Sequence, residues 1–327
     1  MKRKTSLIAY AAVFILGFAI LAPSWSAGPV SWPASAVTIY VPASAGGGTD
    51  LLARVLANTL NKTTGRPFIV VNQSQGGGIV AFESTRTAKP DGNSLMLWHT
   101  GIFVNYYTGM YNYNPLEAYT PLGILFGGGS QAFIVKGNSP ISTIADLVAA
   151  AKKAPGTISY GAQQGGSAQL VAGILENSAD IKLRLVDAAS ETDKITGVMS
   201  GNIGMSAITS KAAKQYVKSG DLKVIGLVDG DIDPLYPDFI PAVNQGYPKL
   251  KWSQPLVLFA PKGMNPEIVS AISDVLRKIA DDPEMQKQLT NFGFKYVFTS
   301  QMASISTLKE VDELVAEVTK SLGISVK

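Results

Sequence analysis

Strand-like and helix-like segments alternate along this 327-residue chain, and that order limits the fold more than any other feature. The apolar run Val37–Val41 leads through Ala45-Gly46-Gly47-Gly48-Thr49-Asp50 into an amphipathic stretch expected to be helical over about 50–63. A β-branched run at 68–71 is followed by Gln75-Gly76-Gly77-Gly78 and a helix over about 79–88, and a third strand is expected at 94–98 after the Pro90-Asp91-Gly92 turn. Such a βαβαβ order specifies a parallel sheet with helices on its faces. Residues 100–115, rich in Tyr and Asn, lack a clean period and read as a long loop with a short helix. A second set begins with a strand at 132–135 and a helix over 144–153 introduced by Ser142 and Thr143. It continues with a strand at 157–160, a second glycine loop over 161–167, and a helix at 168–176. A strand at 183–186, a Ser190/Asp193 capping pair before a helix ending near Ser200, and strands at 203–208 and 222–227 around a helix at 211–218 complete it. A Pro- and Asp-rich connection, 229–248, precedes an apolar run at 256–260 and helices at 266–280, 283–291 and 305–322. The expected architecture is α/β, with two lobes: residues 27–128 with 253–327, and residues 129–252. Two crossings, near 125–131 and 251–256, would form the hinge.

The N-terminus reads as an export signal. Lys2, Arg3 and Lys4 form a basic start, an almost unbroken apolar run covers 7–22, and Ser24, Ser26 and Ala27 are the small residues of a cleavage site. Cleavage after Ser26 puts Ser24 at the −3 position, so residues 1–26 are expected to be removed. The apolar run is shorter than the ~20 residues a spanning helix needs. The chain has no cysteine, hence no disulfide and no lipid-bearing cysteine, so the expected product is a soluble monomer in a bacterial periplasm. The formal net charge is +4, and the three basic residues at the start leave the body at only +1, with the remaining Lys and Arg dispersed. That balance argues against nucleic acid as a partner.

The first glycine turn is the sharpest chemical feature. A strand–glycine–helix junction presents unpaired N–H groups and the positive end of a helix dipole, which suits an anion. No Lys follows, as a nucleotide phosphate loop requires, so a carboxylate is the expected guest. The glycines permit close backbone approach, Thr49 is a candidate cap, and Asp50 is expected to shape the loop rather than touch an anionic ligand. Enzyme chemistry finds little support. His99 is the only histidine, Gly165-Gly166-Ser167-Ala168 is not a nucleophile elbow, and no His/Cys cluster suits a metal. No cofactor is expected.

Several short stretches together resemble the tripartite tricarboxylate transporter substrate-binding proteins, the Bug or TctC family. They are Val41-Pro42 with Ala45 to Asp50, Val70-Val71-Asn72 with Gly77-Gly78, Pro90-Asp91-Gly92, and Ser200-Gly201-Asn202-Ile203. Pro241-Ala242-Val243 with Gly246-Tyr247-Pro248, and Ala260-Pro261-Lys262-Gly263 before Pro266-Glu267-Ile268-Val269, follow in the same order. The resemblance implies a type II periplasmic-binding-protein fold that closes over a small carboxylate and delivers it to membrane permease subunits; a sensing adaptor for a membrane receptor is the other role it allows. It further implies that Ala43, Ser44, Ala45, Gly46, Gly47, Gly48, Thr49 and Asp50 hold the carboxylate, with Gln163, Gln164, Gly166 and Ser167 as the opposite jaw. Two departures stand out: Asn72-Gln73-Ser74-Gln75 where many members carry Asn-Arg-Pro-Gly, and Asp187-Ala188-Ala189-Ser190 where many carry Pro-Tyr-Lys-Gly.

Residues at other strand ends complete the candidate site. His99 and Thr100 close the third strand, and a lone histidine in that position is either a ligand contact or a hydrogen-bonded structural residue. Trp98 and Phe103 read as core or pocket wall, and the tyrosines between 106 and 113 as cleft wall or as a surface loop packed by its own rings. Asp187 either receives an ammonium or hydroxyl group of the ligand or is an ordinary exposed acid.

Overall fold

The computed structural model describes residues 31–163, 167–188, 190–233 and 235–327. The expected export signal, Gln164 and Gly166 lie outside the described residues. The chain opens with β1 (Val37–Val41), α1 (Gly48–Thr64), β2 (Phe68–Asn72), α2 (Ile79–Arg86), β3 (Ser94–His99), α3 (Gly101–Tyr107), α4 (Pro115–Ala118) and β4 (Tyr119–Gly128). Then come β5 (Gln131–Lys136), α5 (Ile144–Lys153), β6 (Ser159–Ala162), α6 (Ser167–Ala179), β7 (Arg184–Asp187), α7 (Glu191–Ser200), β8 (Met205–Thr209), α8 (Ser210–Ser219) and β9 (Leu222–Leu227). The C-terminal part holds β10 (Leu256–Pro261), α9 (Pro266–Lys278), α10 (Pro283–Phe292), β11 (Phe294–Thr299) and α11 (Gln301–Ser321).

These strands form two sheets, ordered β11-β4-β10-β3-β1-β2 and β7-β6-β8-β5-β9. Neither is purely parallel. β1 pairs in parallel with β2 and β3, but β10 runs antiparallel to β3 and β4, and β11 antiparallel to β4. The sequence reading of a parallel sheet therefore holds for the βαβαβ part and fails where the returning chain inserts β10 between β3 and β4. In the second sheet, β6 is parallel to β7 and β8, whereas β5 is antiparallel to β8 and β9.

The chain leaves the first sheet at Gly128, enters the second at Gln131, and returns between Leu227 and Leu256. Leu256, at the start of the returning strand, lies opposite His99, the last residue of β3. Gln131, at the start of β5, lies opposite Thr209, the last residue of β8. The C-terminal ends of the parallel strands in each sheet therefore face the other lobe, where ligands of such sheets bind.

Local signals explain the best-defined helices. Thr143 accepts a hydrogen bond from the Asp146 N–H and Asp146 answers at the Thr143 N–H, a reciprocal capping box that starts α5. Ser190 and Asp193 do the same for α7. Asp282 caps α10 through the Met285 N–H, so Asp282 is a structural cap. The apolar face of α1, with Leu52, Leu56 and Leu60 fully buried, packs in the first-lobe core with Val37, Ile39 and Val41 of β1. α11 reaches beyond its own lobe. Leu308, Val315 and Val318 join one apolar cluster with Ile102 and Phe103 of α3 and with Leu170 and Ile174 of α6. Asn177 of α6 donates to Ser321 Oγ at 2.7 Å, tying the helix end to the second lobe.

Candidate functional site

The glycine turn after β1 is held by one carboxylate. Asp50 is 1% exposed, and its oxygens accept from the Gly46 N–H at 2.8 Å, Arg54 Nε at 3.0 Å and Asn72 Nδ2 at 3.0 Å. The same Asn72 amide donates to the Ala43 carbonyl at 3.1 Å. Burial alone would raise the Asp50 pKa, but the hydrogen bonds from Arg54, Gly46 and Asn72 outweigh it and hold the carboxyl below its ordinary value. Asp50 thus organises the loop from beneath and its charge is spent there.

Thr49 does not cap the helix. The capping position belongs to Gly47, and no side chain bonds there, because α1 begins two residues earlier than the sequence pattern indicates. Of the three glycines only Gly46 adopts a left-handed conformation, φ +81°. Gly48 has open space around its missing side chain, and a Cβ at Gly47 would meet only the Ser44 carbonyl at 3.2 Å. The uncapped start matters chemically. The Gly46 N–H is given to Asp50 and the Gly47 N–H to the Ser44 carbonyl. The N–H groups of Gly48 and Thr49 have no intrahelical acceptor and lie at the positive end of a 17-residue helix. Ser44, Ala45, Gly46 and Gly48 are exposed at this edge, Ala43, Gly47 and Thr49 half-buried, and Ser44 Oγ lies 3.3 Å from Ser74 Oγ of the neighbouring loop.

His99 and Thr100 occupy the adjacent strand end with different roles. His99 Nδ1 accepts from the Gly101 N–H at 3.0 Å, and its ring stacks on Trp98 with centroids 4.0 Å apart. Burial pushes the imidazole down to about 4, so the ring is neutral at physiological pH. A Cβ on Gly101 would come within 2.6 Å of Nδ1, which makes glycine necessary for this contact. Thr100 is a correction to the sequence expectation: it is 0% exposed, and its hydroxyl points to the Ser253 carbonyl in the returning crossing. It supports the hinge and presents no surface to a ligand. Phe103 is fully buried core. The tyrosine-rich stretch packs on itself: the Tyr111 and Tyr119 hydroxyls share a 2.7 Å hydrogen bond, Tyr106 and Tyr107 meet edge to face, and burial pushes Tyr111 up to about 12.

On the second lobe, Gln163 is exposed beyond β6, and Ser167 opens α6. Ser167 Oγ accepts from Gln254 Nε2 at 2.7 Å. Gln254 lies in the returning crossing and also abuts Gly101, with its Nε2 3.2 Å from where a Cβ would sit. One side chain therefore links the second jaw to the end of β3. Asp187 is the exposed last residue of β7 and lines a cavity of about 170 Å³ with Ala162, Gln169, Leu185 and Val186, all residues of the second lobe. The structure brings together Ala43 to Asp50 with Asn72 and Ser74 on the first lobe, and places Ser167 at the start of α6 and Asp187 at the end of β7 on the second.

A larger cavity, about 390 Å³, lies elsewhere, lined by Gly127, Ser130, Asp229, Ile232, Asp233 and Phe294. In the first sheet β4 and β10, which flank the crossings, separate β11 on this side from β3, β1 and β2 on the other. Volume alone would favour it as a ligand site, but its carboxylates oppose an anion. Desolvation pushes Asp229 up to about 7 despite its acceptance of the Gln131 N–H, with Asp233 adding like charge. The Asp233 carboxylate accepts from Ser130 Oγ at 2.5 Å. Free N–H donors make the β1–α1 turn the better carboxylate site.

Sequence reasoning missed Arg54, Asn72 and Gln254 as contributors. The Asp50/Arg54 spacing of four on a helix was a legible signal. Asn72 and Gln254 act over 22 and 87 residues of chain and carry no local signature.

Residues 52–320 match the family described as the tripartite tricarboxylate transporter family receptor, TctC. The chain belongs to this family. Its members are periplasmic solute-binding proteins and not enzymes. A protein from the TAR-I ttuE–ttuC' intergenic region of Agrobacterium vitis is 29% identical over 267 residues, covering 80% of this chain and 76% of its own. Protein BugT of Bordetella pertussis is 24% identical over 269 residues, 81% of each chain. A TctC solute-binding protein from Polaromonas superposes with a TM-score of 0.79 at 20% identity, over 89% of this chain and 100% of that one. MatC from Rhodopseudomonas palustris, solved with bound malate, gives 0.70 at 20% identity over 88% and 99%. The TctC receptor described here thus has the two-lobed α/β fold of periplasmic binding proteins.

Proposed function

We propose that this TctC receptor captures a small organic carboxylate between its lobes and hands it to a membrane permease of the tripartite tricarboxylate type. The observation that carries the reading is the uncapped start of α1, whose first-turn N–H groups are left free while Asp50 fixes the turn around them. The malate held by the MatC neighbour supports the choice of a carboxylate. The basic and apolar N-terminal sequence supports export with removal of residues 1–26.

Energetics require both lobes. A helix terminus contributes about 0.3–1 kcal/mol to an anion, and about 2 in a partly buried site, whereas micromolar affinity needs roughly 8 kcal/mol. The remainder comes from hydrogen bonds made in a cleft emptied of bulk water. Closure of the second jaw, with Gln163 and Ser167 at its edge, supplies that environment.

A thermal-shift screen of small organic acids tests the reading. A ligand specific to the native state stabilises it by about 2.7 kcal/mol at a hundred times its dissociation constant. The expected result is a raised melting temperature with at least one acid, lost in Gly46→Val. A full screen without any shift, or a shift undiminished in that variant, contradicts the proposal.

A further inference from the structure

We infer that His99 touches the captured solute, donating a hydrogen bond from its Nε2–H, as a neutral imidazole, to an oxygen of the acid. This rests on the carboxylate-capture reading and adds a specificity-determining residue to that site.

The tautomer follows from geometry. Nδ1 accepts from the Gly101 N–H at 3.0 Å, so it keeps its lone pair and the ring proton sits on Nε2. Burial, which lowers the ring's pKa, holds it in that form at neutral pH. The contact with Gly101, two residues past the strand, folds the ring over the C-terminal end of β3. That end lies beside the glycine turn. β1 and β3 run in parallel with Tyr40 opposite Met96, so three residues further along each, His99 stands level with Ala43, one strand over at a spacing of about 4.8 Å. The second lobe reaches the same place. A Cβ on Gly101 would lie 2.5 Å from His99 Cε1 and 3.2 Å from Gln254 Nε2, and that Gln254 nitrogen donates to Ser167 Oγ at 2.7 Å. His99 therefore sits where the first jaw, the returning crossing and the start of α6 meet.

Its second nitrogen has no partner among the described residues. Trp98 offers only a ring face, and its own Nε1–H is buried without an acceptor. Gln254 Nε2 is itself a donor. His99 is half-buried, so water serves the Nε2–H while the cleft is open. Closure removes that water, and a donor left unpaired then costs affinity. An oxygen of the solute restores the bond, and such a bond to a charged acceptor changes affinity about tenfold or more.

The test uses the untagged mature protein at neutral pH with acetate, succinate, glutamate, citrate and benzoate as probes. His99 is the only histidine, so its ring nitrogens are read directly in long-range proton–nitrogen NMR spectra. Without ligand, Nε2 should carry the proton. With the tightest-binding probe, the Nε2 signal should move while Nδ1, locked to Gly101, stays. Calorimetry on two variants separates contact from support. His99→Asn keeps an acceptor for the Gly101 N–H and loses the distal donor, so it should melt like wild type and bind about tenfold weaker. His99→Gln restores a donor at the distal position and gives up the Gly101 contact, so it should melt lower yet bind within about threefold of wild type. A proton on Nδ1, an Nε2 signal unmoved at saturation, or affinities that rank with stability overturn this inference and leave carboxylate capture standing. Should neither variant fold, the ring-nitrogen spectra of the unmodified protein decide. If none of the five probes binds, both readings fall.

Discussion

Replacing Asp50 with Ala removes the acceptor on which the first jaw is built. Three hydrogen bonds end on this carboxylate, from Gly46, Arg54 and Asn72. Arg54 is 49% exposed, so its ion pair is worth only about 0.5 kcal/mol. The bonds from the Gly46 N–H and the Asn72 amide to a buried charge are each worth about 1.5 kcal/mol, the low end for charged acceptors. The loss should therefore be about 3.5 kcal/mol, read as a lower urea midpoint at unchanged slope. The effect carries a pH signature. The folded pKa of Asp50 lies below the unfolded value, so its contribution is present above the unfolded pKa and is lost as pH falls through the folded one. The wild type should shed this stability below about pH 4, and Asp50→Ala should show a flatter curve there. Hydrogen exchange at the Gly46 amide should speed up in the variant, and carboxylate affinity should drop. A variant within about 0.5 kcal/mol of wild type, the range of ordinary surface substitutions, with Gly46 protection unchanged, would refute the reasoning.

Other outcomes follow from the same geometry. Gly46→Val should cost about 1–2 kcal/mol, because a side chain is forced into the left-handed region, whereas Gly48→Ala, in open space, should leave stability nearly unchanged; thermal melts of the two variants decide it. His99, with its pKa lowered to about 4, favours the folded state above the unfolded pKa and loses that contribution as pH falls from about 6.5 to 4; its ring signals should not titrate between pH 5.5 and 8 in NMR spectra. Asp229, raised to about 7, works in the opposite sense, since the folded state retains a proton that the unfolded chain releases above about pH 4. Asp229→Asn keeps an acceptor for the Gln131 N–H and should stabilise the protein by roughly 2 kcal/mol at pH 8, with no gain at pH 4, as denaturation at the two pH values would show.

The parts of the fold legible in the sequence are those governed by local rules. The helix over 144–153 and the strand over 222–227 match their expected bounds, and the Ser190/Asp193 pair caps as its spacing indicates. Two strands were not anticipated. β4 contains Pro121, Gly123, Gly127 and Gly128, residues that read as breakers, and it is sustained by antiparallel pairing on both sides with register shifts that absorb the irregularity. β11 is a six-residue edge strand just after Gly293, and its partner lies more than 160 residues earlier. The last helix starts at Gln301 rather than near 305, because Ser304 turns its hydroxyl inward to the Thr299 carbonyl and the Ile124 N–H instead of marking a start. The candidate site divides in the same way. Asp50 as loop organiser followed from charge and position in the first turn. The role of Gly47 in place of Thr49, the burial of Thr100 and the Gln254 link depend on tertiary neighbours that no local pattern encodes.

The most direct measurement is a crystal structure with a carboxylate identified by the stability screen. The account predicts carboxylate oxygens within about 3.2 Å of the Gly48 and Thr49 backbone nitrogens, with Ser167 closed over the same solute. A genuine ligand seated in the Asp229 cavity, with the glycine turn open to bulk solvent, would contradict it.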